Sequence, residues 1–265
     1  MSGELAERPS RVGGMALANG VLVHGPGHWA LAVRTGDGRI EVASGAKRVR
    51  SAGVTSPLLR GVLRIVDSLA VVPTAARALP EARLPYRDTR TLTALLVGSA
   101  AGRALRRSGL SPSQQEAVAA ALSLVPLAVA LRGSDIAAYH GAEHVTIGSW
   151  EHGEPRPRVH ERCGSHLVVP LLAATAAGNV VASRVARTPT GAKAGRLVAS
   201  AAAMGIAFEV FGWMLRNPDN PLARLLAWPG ATLQREFLTS EPTPDQLAVA
   251  EAALEECLRL ETGAD

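Results

Sequence analysis

Residues 139–166 read YHGAEHVTIGSWEHGEPRPRVHERCGSH. Five of the seven histidines fall here, His140, His144, His152, His160 and His166, together with Cys163, one of two cysteines. His140, Glu143 and His144 have the form H-x-x-E-H. On a helix, residues i and i+4 share a face and lie about 6 Å apart along the axis. Two imidazoles so placed can grip one metal ion, and the carboxylate at i+3 stands beside them.

The order is the reverse of H-E-x-x-H and is the inverzincin pattern. There the histidines are ligands and the glutamate is the general base that takes a proton from water. A catalytic zinc needs three protein ligands and an open position, whereas a structural zinc fills all four. Downstream, HERCGSH supplies His160 and Cys163, and Gly164 lets the backbone bend around an ion. Glu143 and Glu151 are oxygen donors within reach of the same frame. Mixed nitrogen, sulfur and oxygen ligation favours zinc, with iron as the second choice. His140, His144, His160 and Cys163 could also close a tetrahedral shell, so the catalytic and structural readings both stay open. His152 and His166 are read as bystanders, at the surface or hydrogen-bonded.

These residues need elements to hold them. The stretch 28–44, HWALAVRTGDGRIEVAS, alternates around Thr35-Gly36-Asp37-Gly38 as a hairpin does. Before it, GGMALANGVLVHGPG is glycine-rich without the Gly-Lys-Ser/Thr of a P-loop. From Pro57 the period turns helical, with Leu58, Val62, Ile65, Val66 and Leu69 on one face. Further helices are expected over 91–105, 113–132, 134–147, 167–186 and 196–215. In the tail, Thr243 is the expected N-cap, Pro244 the first helical residue and Gln246 the partner in a capping box. Cys257 falls on the apolar face of that helix and is read as a core residue. A Cys163–Cys257 bridge is possible on paper, but nothing favours it.

Composition narrows the class. The 265 residues are 47% apolar but only 3% aromatic, which suits alanine-rich, closely packed helices. The net charge of +5 is spread along the chain without a basic block or aromatic interleaving, so nucleic acid is not an expected partner. The first residues lack an apolar core and carry acidic groups, so no cleaved signal peptide is expected. Four apolar stretches stand out, 91–102, 117–131, 167–183 and 197–215. The first two are short for a span of about 20 residues. The last is long enough but contains Glu209, a carboxylate that would need a ligand histidine, an arginine or the metal as partner. If the last two stretches span, the basic loop 184–196 faces the cytoplasm.

YHGAEH followed by HERCGS resembles the signature of the YqhQ-like family, a domain of unknown function described as metal-dependent membrane enzymes. That family carries YHGAEHK, then a tyrosine–glutamate pair, then HPRCGT. Further pieces match in order: Gly13-Gly14, NGVLVHGP at 19–26, LAVRTGDGRI at 31–40, LLRGV at 58–62, GIAFEV at 205–210 and LTSEPTPDQLAVAEAAL at 238–254. The resemblance covers nearly the whole chain and implies a helical membrane domain, a metal and an unassigned reaction. By position, His140, Glu143, His144, Glu151, His160, Cys163 and Glu209 match the family pattern. The chain departs from it at Val145 (lysine in the family), Glu161 (proline) and Ser165 (threonine). Met15 and Asn19 replace a glutamine and an acidic residue, and His24 an arginine. The metal frame is kept while the polar groups around it differ. That describes a divergent member with a changed substrate, or one that kept its metal and lost its activity.

The expectation is a mainly α, membrane-associated helical domain with a small N-terminal β-hairpin element. Residues 1–56 form the Gly-rich segment and hairpin, 57–240 the helical metal-binding domain, and 241–265 a C-terminal amphipathic helix. The function expected is that of a zinc-dependent hydrolase at the cell membrane, acting on a small-molecule, lipid-like or peptide substrate. His140, His144, His160 and Cys163 are its candidate metal ligands, Glu143 its base and Glu209 a supporting carboxylate. The alternatives are a membrane scaffold with a structural metal, and a soluble cytoplasmic enzyme.

Overall fold

In a computed structural model of the chain, described over residues 12–85, 89–105, 107–111, 131–185 and 188–263 with scattered positions between 114 and 129, helices dominate. Four strands come first: β1 (Gly13–Ala16), β2 (Gly20–His24), β3 (His28–Arg34) and β4 (Ile40–Ala46). They form an antiparallel meander in the order β1-β2-β3-β4. The expected hairpin is its β3–β4 half, closed by a turn in which Gly38 takes φ 88°. The glycine-rich start supplies the other half, pairing Gly14 with Val23 and Leu22 with Leu31.

Seven α-helices follow among the described residues: α1 (Pro57–Ala78), α2 (Thr89–Leu105), α3 (Asp135–His152), α4 (Val168–Val185), α5 (Pro189–Arg216), α6 (Pro221–Leu233) and α7 (Pro244–Thr262). The helix expected over 113–132 lies largely outside the described residues, as do residues 1–11 of the N-terminus.

Strands β2 and β3 are buried on both faces, and their period of two sorts the side chains between two cores. Val21, Val23, Ala30 and Ala32 face α3 and α7, packing on Ile136, Tyr139, Ala142, Val249, Leu254 and Cys257. Leu22, Trp29, Leu31 and Val33 face the second half of α1 and the segment after it, meeting Val71, Ala75, Leu79 and Leu84. Each such Val or Leu contributes about 1.5–3 kcal/mol when fully buried. The first and last segments of the chain therefore share one core. Cys257 is fully buried in it, and both cysteines are free.

Helix α7 begins as its sequence dictates. The Thr243 side chain accepts from the Gln246 amide, and the Gln246 side chain accepts from the Thr243 amide at 2.9 Å. Gly263 ends the helix at φ 65°.

Helix α1 departs from its sequence pattern. Val66 and Leu69, placed on the packing face by their period, are exposed, and Asp67 is buried instead. The Asp67 carboxylate accepts from the amides of Arg50 and Ser51 at 2.8–3.0 Å, which ties the end of β4's loop to the helix. The other contact of α1 is with α5, where Gly61 lies against Phe208.

Helices α4 and α5 form a hairpin with small residues at the seam, Gly178 against Ala199 and Gly195 against Ala182. Gly164–Ala182 and Ala194–Arg216 are long and apolar enough to cross a membrane by length and composition. Only 17% and 22% of their most apolar windows are buried, unlike the core helix of a water-soluble protein. Leu92, Leu95 and Leu96 of α2 and Leu197 and Val198 of α5 add to the exposed apolar surface.

Candidate metal centre

Helix α3 carries the H-x-x-E-H residues through the middle of the protein. Ser134 caps it, accepting from the Ala137 amide, and Gly153 ends it at φ 71°. Chain segment 239–241 crosses the helix at Gly141, where the Ser240 amide donates to the Ala137 carbonyl at 2.8 Å. A Cβ at position 141 would overlap the Ser240 carbonyl oxygen, so the glycine between the histidine and the glutamate is demanded by packing.

His140, His144 and Cys163 each point one donor atom at a common place, with those atoms all within 4.8 Å of one another. Nε2 of His140 lies 3.6 Å from Sγ of Cys163. Nδ1 of His140 lies 2.9 Å from the Leu238 carbonyl, and Nδ1 of His144 lies 2.8 Å from the Arg158 carbonyl. A carbonyl only accepts, so each Nδ1 carries the hydrogen and each Nε2 keeps its lone pair. That is the tautomer and the outer contact that metal-binding histidines use. Bonds of about 2.0 Å to nitrogen and 2.3 Å to sulfur at tetrahedral angles separate the donors by roughly 3.5 Å. The donor set therefore fits a zinc-type ion, with His140, His144 and Cys163 as its holders. Burial, above all, lowers the His144 pKa, which keeps the imidazole neutral; the Cys163 contact opposes this in part.

His160 stands apart from this trio. Its ring is 5.5 Å from that of His144. Its Nε2 lies 3.1 Å from Oε2 of Glu151, and its Nδ1 accepts from the Arg162 amide at 3.3 Å. Glu151, His160 and Glu161 form a second group whose donor atoms lie within 4.8 Å of one another. Arg162 already serves that group, pairing with Glu151 while also donating to the Val12 carbonyl at 2.7 Å. His152 bonds the Gly148 carbonyl of its own helix, and His166 the Ala227 carbonyl.

Glu143 is buried, with its carboxylate against the backbone of β1. A Cβ on Gly14 would sit 2.5 Å from Oε1. Burial pushes the carboxyl above the ordinary range, against the pull of His140 and His160. Glu209 lies elsewhere: Arg60 of α1 grips it with both arms, at 3.1 and 2.9 Å.

Three residues without a sequence signal hold the loop that presents Cys163. Gln234, fully buried in the π-turn (Gln234–Leu238) after α6, accepts from the His160 amide at 2.8 Å. Its side-chain amide lies within 3.2 Å of the His160 carbonyl, Ser165 Oγ and His166 Nε2. Arg158 donates to the Arg235 and Thr239 carbonyls, and Gly230 lets α6 lie directly on His166. A glutamine, an arginine and a glycine among many carry no pattern of their own.

The trio and Glu143 open on a cleft of about 480 Å³. Its lining includes the polar side chains of His24 and Arg162. Burial, aided by Lys47, drives the His24 pKa down to about 4, so its imidazole is neutral. Ile65, Ile147, Leu167, Phe208, Phe211 and Leu215 supply its apolar lining.

The profile of the family Protein of unknown function (DUF1385) matches residues 124–260, just over half of the chain and all three donors. The chain belongs to this family. The uncharacterized protein YqhQ of Bacillus subtilis (strain 168) is 33% identical over 132 residues, 46% of this chain. That match takes in 40% of the relative, so the chain spans about two-fifths of the length of the curated protein it matches. No solved structure matches the chain.

Proposed function

We propose that this family member is a metal-dependent hydrolase of zinc type that works at a membrane surface. The observation that carries the reading is the convergence of His140 Nε2, His144 Nε2 and Cys163 Sγ, with both Nδ1 atoms committed to carbonyls. Three protein donors with His160 turned to Glu151 suit a site that keeps a position for water and substrate, rather than a closed structural shell.

A divalent ion held there supplies Lewis acidity to a scissile carbonyl or phosphoryl group. The rest falls to the chain. Glu143, about one turn after His140 and next to His144, takes a proton from the attacking water, then returns it to the leaving group as the bond breaks. The Leu238 and Arg158 carbonyls keep both rings aimed. Arg60 holds the Glu209 carboxylate neutralised within the α1–α5 pair, so Glu209 acts on the packing of the helices and not on the substrate. The exposed apolar faces of α4 and α5 support placement in a membrane.

Metal analysis of the purified protein tests the reading. The expected content is about one equivalent of zinc or iron. His140→Ala and His144→Ala should each lose it, and full retention in both would sink the site. Glu143→Gln should keep the metal and abolish hydrolysis of a chromogenic acyl ester. Loss of metal in that variant would make Glu143 a ligand instead. An ion with four protein donors would turn the reading to a scaffold.

A further inference from the structure

The cleft over the three donors has both polar and apolar lining, and its position along the chain relates that lining to the membrane-length helices. Cys163 immediately precedes Gly164, where the first such helix begins. Leu215 immediately precedes Arg216, where the second ends. The donors therefore sit at one end of the helical hairpin, at the depth of the headgroup layer if the hairpin is embedded. The apolar wall is built from that same hairpin and from α1. Phe208, Phe211 and Leu215, at i, i+3 and i+7, share a face of α5, with Leu167 just before α4 and Ile65 on α1. Below the wall the hairpin stays largely uncovered.

We infer that the cleft binds a long-chain amphiphile drawn from the bilayer, with its head at His140, Glu143, His144 and Cys163 and its tail along Ile65, Phe208, Phe211 and Leu215. The inference rests on the hydrolase reading for the chemistry at the head, and on the apolar wall alone for the tail. A water-soluble peptide would leave that wall, about a third of the residues lining the cleft, in contact with water. An acyl chain matches it because each methylene buried there adds affinity.

The test has two arms, so the two readings fail separately. In the first, the full-length protein in detergent is irradiated with decanoic acid carrying a terminal diazirine, with and without metal. Saturable labelling is expected within 60–68 and 205–216, cut at least about fivefold by excess decanoate but not by acetate, as burial of the tail requires. Leu215→Asn and Ile65→Asn should each weaken it by a similar factor. Labelling that is absent or not saturable in both metal states overturns the inference.

In the second arm, the cobalt-loaded protein is titrated with aceto-, hexano- and decanohydroxamate while its visible absorption is followed. Affinity should rise about a hundredfold or more from the shortest to the longest chain. Leu215→Asn should flatten that rise and leave acetohydroxamate binding unchanged. Equal affinity along the series overturns the amphiphile inference and leaves the metal site standing. Failure to take up cobalt sinks the metal site, and the first arm then decides the tail site by itself.

Discussion

Sγ of Cys163 lies 3.6 Å from Nε2 of His140, and the two are joined by nothing local, since 23 residues separate them. That distance is close to the edge of a zinc tetrahedron with one nitrogen and one sulfur. Under the proposed metal site the thiol is a ligand, and that predicts a spectrum. The cobalt-loaded protein should show thiolate-to-cobalt absorption in the near ultraviolet. Cys163→Ser should abolish that band and weaken metal binding about tenfold or more, while His140 and His144 retain some affinity. An unchanged band in the serine variant would remove Cys163 from the shell.

Gly141 gives a test of packing at the heart of the motif. At an exposed helix position, glycine to alanine stabilises by about 1 kcal/mol. Here the new methyl would press on the Ser240 carbonyl, itself fixed by its neighbouring amide's bond to Ala137. Gly141→Ala should therefore destabilise by about 2–3 kcal/mol, the cost of forcing extra volume into a packed core. Chemical denaturation measures it. Stabilisation would show that the 239–241 segment yields.

The sequence disclosed what is local. The H-x-x-E-H spacing places two rings on one face of α3, and the Thr243–Gln246 capping box starts α7, because both depend on residues within one helical turn. It did not disclose that Nε2 of His160 is bonded to Glu151. That contact is set in part by Gln234, 74 positions distant. The face of α1 was misplaced for a related reason. An apolar period marks the buried side only where water surrounds the helix. On α1 the polar Asp67 is drawn in by two backbone amides, and Val66 and Leu69 are left outside. Glu209 was singled out as a charge in an apolar helix. Its partner, Arg60, lies 149 positions away, so nothing local joins the two.

The Arg60–Glu209 pair separates a structural carboxylate from the one proposed as catalytic, Glu143. Its two hydrogen bonds are half-exposed, so their coupling should be about 1 kcal/mol in a double-mutant cycle built from Arg60→Met and Glu209→Gln. Each single variant should be less stable than the double, because each leaves one charge without its partner between α1 and α5. All three should bind metal as the parent does. Loss of metal from Glu209→Gln would return Glu209 to the site.

Glu256 sets an acid limit on stability that is independent of any metal. It lies on α7 facing β4, and its Oε1 accepts from Ser44 Oγ at 2.6 Å. Arg259 one turn on donates to both oxygens, at 2.8 and 3.0 Å. These contacts, Arg259 first, push the carboxyl down from 4.5 to about 2. A folded-state pKa below the unfolded one means that the unfolded chain takes up the proton first. The contribution is therefore complete above about pH 4.5 and is lost as the pH falls toward 2. Because solvent reaches the group, its size should be about 1 kcal/mol rather than the full value of the shift. Glu256→Gln should lower stability by that amount at pH 7 and converge with the parent near pH 2, so urea midpoints across this range should meet at the acid end. Parallel curves would show that the carboxylate's charge adds nothing to the junction of α7 with the sheet.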